Sequence, residues 1–129
     1  MIFKMKEKGF QAELEYDVLN VSADENFGFR PYQLLISSIV GCSGGVFRKI
    51  LEKKRLAYED ITISANVKRN PEIANRIEEI HLVYTIIAED LEPSKIEKAL
   101  ELTRKNCAMI QSVQDSIVIT EEFEIKQSK

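Results

Sequence analysis

One hundred and twenty-nine residues, 44% of them hydrophobic and 30% charged, suffice for one globular domain and are too few for a two-domain enzyme. A formal net charge of −3 withholds the broad positive field that captures a phosphate backbone, so nucleic acid is not an expected partner. The start, MIFKMKEKGF, places lysines where a signal peptide needs its apolar run. The longest mostly apolar stretch, Leu34 to Phe47, is short and glycine-rich for a bilayer span, so a cytoplasmic chain with no membrane partner is expected.

The first elements alternate. Phe3 and Met5 oppose Lys4, Lys6 and Lys8, and after Gly9 the residues Phe10, Ala12, Leu14 and Tyr16 oppose Gln11, Glu13 and Glu15, the pattern of a hairpin. A short third strand is expected over Val18 to Ser22, before the polar loop ADENFGFR. From Pro31 the period turns helical: Leu34, Leu35, Ser38, Ile39, Cys42, Val46, Ile50 and Leu51 recur at spacings of three and four. Pro31 suits the first helical position, and Lys53, Lys54 and Arg55 suit the negative end of the helix dipole.

Two more strands follow, Ile61 to Val67 and Ile80 to Ile86, on either side of the turn-prone stretch RNPE. A second helix is read from EPSKIEKALELTRKN, with Pro93 at its opening, a capping box from Ser94 to Glu97, and Ile96, Ala99, Leu100 and Thr103 on one stripe. Asn106 interrupts it, CAMIQSV starts a new helical turn, and Ile117, Ile119, Phe123 and Ile125 mark a last strand. The order β-β-β-α-β-β-α-β, with no linker or repeat, describes a single α+β domain over residues 1–129.

Two cysteines, Cys42 and Cys107, lie 65 positions apart, which fits neither a disulfide-dense scaffold nor a CxxC pair. With His81 the only histidine, cysteine and histidine cannot fill a structural zinc site, and no cofactor is expected. The GCSGG stretch, Gly41 to Gly45, matches the G-x-S-x-G of a serine nucleophile elbow, but it sits inside a helical pattern rather than on a strand-to-helix turn. Its three glycines cost a helix roughly 0.8 to 1 kcal/mol each relative to alanine. Either another backbone packs closely there or a small molecule must reach the Cys42 sulfur. Cys107 follows Arg104 and Lys105 at the start of a helical turn, where cations and free N–H groups favour a thiolate; equally, it ends an apolar stripe as buried filler.

The stretch RPYQLLISSIVGC, ending in Cys42 eleven residues after Pro31, followed by KNCAMIQSV with Cys107 and a terminal strand, resembles the family of osmotically induced protein C and the organic hydroperoxide resistance protein. The resemblance implies an intertwined homodimer with the long cysteine-bearing helix at its interface. It also implies a thiol peroxidase for small organic hydroperoxides, in which Cys42 attacks the peroxide, Cys107 resolves the sulfenic acid as a disulfide, and a dithiol reductant restores both. Where the family pattern has a glutamate after the proline, this chain has Tyr32 and then Gln33; no arginine precedes Arg30. Gln33 and Arg30 are the expected substitutes for the family's carboxylate and cation, with Lys4 or Lys6 as weaker cations. Lacking a cation, a mid-helix Cys42 is expected to have a raised pKa. The alternative reading is a non-catalytic dimer of the same fold that holds a small apolar ligand in an interfacial pocket.

Overall fold

In a computed structural model, which describes residues 1–128, the elements are β1 (Phe3–Lys6), β2 (Gly9–Glu13), β3 (Val18–Val21), α1 (Pro31–Lys53), β4 (Asp60–Asn70), β5 (Arg76–Ile87), α2 (Pro93–Asn106), α3 (Ala108–Val113) and β6 (Val118–Lys126). The fold is mixed α+β, in the expected order with the CAMIQSV turn realised as α3. The chain divides into two compact units, Met1–Ser37 and the remainder from Ser38.

In the first unit β1, β2 and β3 form an antiparallel sheet in sequence order. Its register aligns Phe3 with Ala12 and Leu19, and Met5 with Phe10 and Val21, so one face is apolar while Lys4, Gln11 and Asn20 line the other. Gly9 is required where it stands, since a Cβ there would lie 2.1 Å from the Val21 carbonyl oxygen. The alternation predicted for the second strand runs to Tyr16, but β2 stops at Glu13. The Leu14 N–H donates to the Asp17 carbonyl and the Val18 N–H to the Asp17 carboxylate, a turn that leaves Tyr16 fully exposed.

In the second unit the sheet order is β4-β5-β6, antiparallel between β4 and β5 and parallel between β5 and β6. The parallel pair requires a crossover, which α2 and α3 provide. The β4–β5 turn uses Ala74 and Asn75 in the left-handed region. On β5, Ile80, Leu82, Tyr84 and Ile86 are fully buried, whereas the alternate residues, including His81, face the other side.

Helix α1 has Pro31 at its first position, and Ile39, Ser43, Phe47 and Leu51, spaced by four, are its buried residues. It ends with Arg55 in the left-handed region and the Leu56 N–H donating to the Leu51 carbonyl, a closure that places the basic run at the carbonyl end. At 23 residues, with a mean hydropathy of 1.5 over an 18-residue window, it is long and apolar enough to cross a membrane by length and composition, which corrects the expectation drawn from Leu34 to Phe47. Only one stripe of it, Ile39, Ser43, Phe47 and Leu51, is completely buried. The capping box expected from Ser94 to Glu97 is absent: Pro93 fixes the start of α2 one residue earlier, Glu92 holds the N-cap position without a side-chain bond, and Ser94 already lies within the helix.

Candidate functional site

Cys42 sits on α1 immediately before the buried Ser43 and is itself half-buried. Cys107 stands between two helices. The α2 ladder ends as the Cys107 N–H donates to the Thr103 carbonyl; Cys107 is extended at φ −82°, ψ 108°, and its carbonyl opens α3 by accepting from the Gln111 N–H. Side chains hold this break in place: Asn106 donates to the Leu102 carbonyl at 2.8 Å and Gln111 to the Arg104 carbonyl at 2.9 Å. The Cys107 side chain is completely buried.

The first N–H groups of α3 have no partner within their own helix. The Met109 N–H lies within hydrogen-bonding reach of the Cys42 sulfur and is the largest influence on it, lowering its pKa; burial opposes this, and the Cys107 thiol and the Ala108 N–H add to the lowering. Cys107 moves the other way. Burial pushes its thiol up, the negative charge of Cys42 pushes it further, and the nearby N–H groups of Ile110 and Met109 offset only part of this. The structure therefore brings the two cysteines together with their acidities shifted in opposite directions, Cys42 lowered and Cys107 raised.

The Cys42 expectation from sequence is corrected, and of the two readings left open for Cys107 the buried one holds. Cys42 is lowered without a cation, by backbone donors contributed from α3, and Cys107 is raised although Arg104 and Lys105 precede it. Arg104 is committed elsewhere, donating to the Ile119 carbonyl at 2.8 Å and to the Glu121 carboxylate at 2.6 Å. The Arg30 guanidinium lies over the Tyr32 ring, 5.0 Å from its centroid, and the Gln33 amide is 3.5 Å from the Tyr32 hydroxyl. Neither Arg30 nor Gln33 is among the groups that set the Cys42 pKa.

The nearest polar group to the pair along α1 is Ser43, whose hydroxyl hydrogen-bonds the Tyr84 hydroxyl. Both are fully buried, and Tyr84 is pushed up to about 12, chiefly by burial. A serine nucleophile is thereby excluded: Ser43 bonds tyrosine, not histidine, and His81 lies on the opposite face of β5 against Thr120 and Glu122. The helix glycines divide. A Cβ on Gly44 would lie 3.2 Å from Ile63 Cδ1, so that glycine serves packing, whereas a Cβ on Gly41 or Gly45 would meet nothing within 4 Å among the described residues beyond the helix's own backbone. A hollow of about 640 Å3 between α2 and β6 is lined by Leu100, Phe123, Arg104 and several glutamates, and no cysteine reaches it. Among the described residues no group of three or more His, Cys, Asp or Glu could hold a metal ion.

Sequence reasoning located both sulfurs and missed the Met109 and Ala108 N–H groups and the Ser43–Tyr84 bond. The only signal for the former was the new helical turn at CAMIQSV; for the latter, the inward alternation of β5.

No curated protein matches the chain. Solved structures do. A hypothetical protein from Aquifex aeolicus VF5 is 26% identical, with a TM-score of 0.87 over 99% of this chain and 96% of that one. An OsmC-like protein from Mycoplasma pneumoniae is 15% identical, with a TM-score of 0.83 over 96% and 94%. The organic hydroperoxide resistance protein OhrB of Bacillus subtilis is 13% identical, with a TM-score of 0.60 over 98% of each chain. The family model for OsmC-like protein matches residues 22–122, which takes in both cysteines and every element from α1 to β5, α2 and α3, and the chain belongs to that family.

Proposed function

We propose that the chain is a cytoplasmic thiol peroxidase that reduces small organic hydroperoxides through Cys42 and Cys107. The observation that carries this reading is the meeting of the two side chains, with the Cys42 pKa lowered and the Cys107 pKa raised. The Cys42 thiolate attacks the distal peroxide oxygen, the O–O bond breaks, and the alkoxide leaves and takes a proton as the alcohol; Cys42 becomes a sulfenic acid. Cys107 then attacks that sulfur, its proton leaves with the sulfenic hydroxyl as water, and a disulfide forms. An external dithiol reduces it by exchange and is itself oxidised to a disulfide. Thiolate at Cys42 makes the first step competent, and neutrality at Cys107 keeps the resolving sulfur from reacting first.

A homodimer is part of the proposal. Gly41 and Gly45 offer a smooth strip, one turn apart, that no described residue covers, and Phe3, Met5 and Phe10 on the sheet of the first unit are exposed. A second copy of the chain would cover such surface, and the glycines would admit its backbone closely.

The test is mass spectrometry after addition of an alkyl hydroperoxide in excess. The expected product is a chain lighter by two hydrogens, with Cys42 and Cys107 in one disulfide-linked peptide. Survival of both thiols ends the proposal.

A further inference from the structure

The buried layer between α1 and β5 is apolar except at one point. From α1 come Ile39, Ser43, Phe47 and Leu51, and from β5 come Ile80, Leu82, Tyr84 and Ile86. The exception, Ser43 against Tyr84, directly follows Cys42 in the chain. Two apolar side chains of the same shape would serve stability about as well, because a buried hydroxyl pair only recovers what its desolvation costs. What a bond of this kind adds is a fixed position, since an unpaired hydroxyl in that layer disfavours every other placement of the helix turn.

That turn needs fixing. Three of its residues, Gly41, Gly44 and Gly45, are glycines and have no side chain to hold the turn in place; only at Gly44 would an added Cβ meet a neighbour, Ile63. Tyr84 is by contrast held: its ring meets Phe47 edge-on with centroids 5.1 Å apart, and it occupies the middle strand of its sheet, paired to Ile63 and Phe123. The Cys42 sulfur meanwhile depends on donors from α3, for which small displacements matter.

We propose that Tyr84 is a positioning residue for Cys42: its hydroxyl, through Ser43, anchors the glycine-rich turn of α1 so that the Cys42 sulfur stays on the Met109 and Ala108 N–H groups and beside Cys107. Tyr84 does not touch the sulfur's substrate. It acts through helix placement, and its hydroxyl remains neutral while the thiols titrate. The inference rests on the thiol reading above only for its use in catalysis, because the placement is measurable without a hydroperoxide.

The experiment follows the alkylation of Cys42 by iodoacetamide across pH, and disulfide closure driven by diamide, in the unaltered chain, Tyr84→Phe, and the double variant Ser43→Ala with Tyr84→Phe. In Tyr84→Phe the Ser43 hydroxyl is free to turn back to the Ile39 carbonyl one helical turn earlier, so the helix survives while its tether is lost. The expected result is a Cys42 profile displaced to higher pH, with alkylation at neutral pH and disulfide closure each slower by about threefold. A folded Tyr84→Phe chain whose profile and closure rate match the unaltered chain overturns the inference, even if its melting temperature falls. Should Tyr84→Phe not fold, the double variant, which leaves no hydroxyl stranded, is judged by the same two readouts. A chain that ignores hydroperoxide while Tyr84→Phe still displaces the profile defeats the peroxidase proposal and leaves the positioning role standing.

Discussion

Both sheets have three strands and one apolar face, yet they bury it very differently. On β5 the apolar face, Ile80, Leu82, Tyr84 and Ile86, is wholly buried, and Phe47 and Leu51 of α1 are as fully packed. On β1 and β2 the apolar face leaves Phe3 44%, Phe10 51% and Met5 79% exposed. The lesson is that the second unit supplies its own cover from α1 and α2, while the first has strands of four or five residues and apolar surface in excess of what its own chain hides. A short three-stranded sheet with so much exposed is marginal alone.

The contrast is broken most directly by truncating one side chain in each unit. Phe47→Ala should lower stability by about 3 to 5 kcal/mol in urea unfolding, because it opens a cavity under Tyr84. Phe10→Ala, measured at a concentration where the chain is monomeric, should cost less than about 1 kcal/mol. Equal losses would mean that the first sheet is as self-sufficient as the second.

The second experiment sharpens the same contrast at the helix. Gly45→Leu adds a side chain where no described residue outside the helix's own backbone stands within 4 Å, so the isolated fold should keep its circular dichroism and melt no lower. In a twofold assembly the intrusion occurs twice, and each overpacked contact costs about 1 to 3 kcal/mol, so the dimer dissociation constant should rise by about thirtyfold or more. Light scattering against concentration reads this; an unchanged mass would remove the helix strip from the interface.

How much of this was legible beforehand depends on which part of the residue carries the information. Strand and helix order followed from side-chain periodicity, so nearly every element was readable, and even the break before CAMIQSV was visible. The end of β2 was not, because Asp17, beyond the alternating run, turns the chain back. Nor was the cap of α2: Pro93 opens the helix as expected, but Glu92 rather than Ser94 holds the N-cap position. At the site, both cysteines stood out, but the cause of their difference did not: the groups acting on Cys42 are backbone N–H groups of α3, and a backbone donor has no signature in residue identity. Ser43 looked like a nucleophile only while its partner on β5 was unknown.

The two sulfurs offer a third, smaller effect. A lowered pKa means that Cys42 stays thiolate as pH falls below the ordinary thiol range, and a raised one means that Cys107 stays protonated as pH climbs above it. Iodoacetamide at neutral pH should therefore label Cys42 first, about tenfold faster than Cys107, whose burial adds to the difference. Cys107→Ala removes a donor and should move the Cys42 profile up; Cys42→Ser removes a neighbouring negative charge and should move the Cys107 profile down. An unchanged profile in both variants would show that the sulfurs do not sense each other.

The smallest effect is expected at His81, and its smallness is informative. His81 and Tyr84 belong to one strand, but three residues apart they point to opposite faces, and only Tyr84 reaches the layer that holds Ser43. His81 bonds Thr120 at 2.6 Å and Glu122 at 3.0 Å, in a pair whose carboxylate partner is 63% exposed, so the charge interaction is largely screened by water. His81→Ala should change stability by no more than about 1 kcal/mol and leave the Cys42 alkylation profile where it was. A fluorophosphonate probe should likewise leave Ser43 unlabelled in both chains. If His81→Ala moved the Cys42 profile as far as Tyr84→Phe does, the position of α1 would be answering to the sheet as a whole rather than to one hydroxyl, and the assignment of that role to Tyr84 would lose its ground.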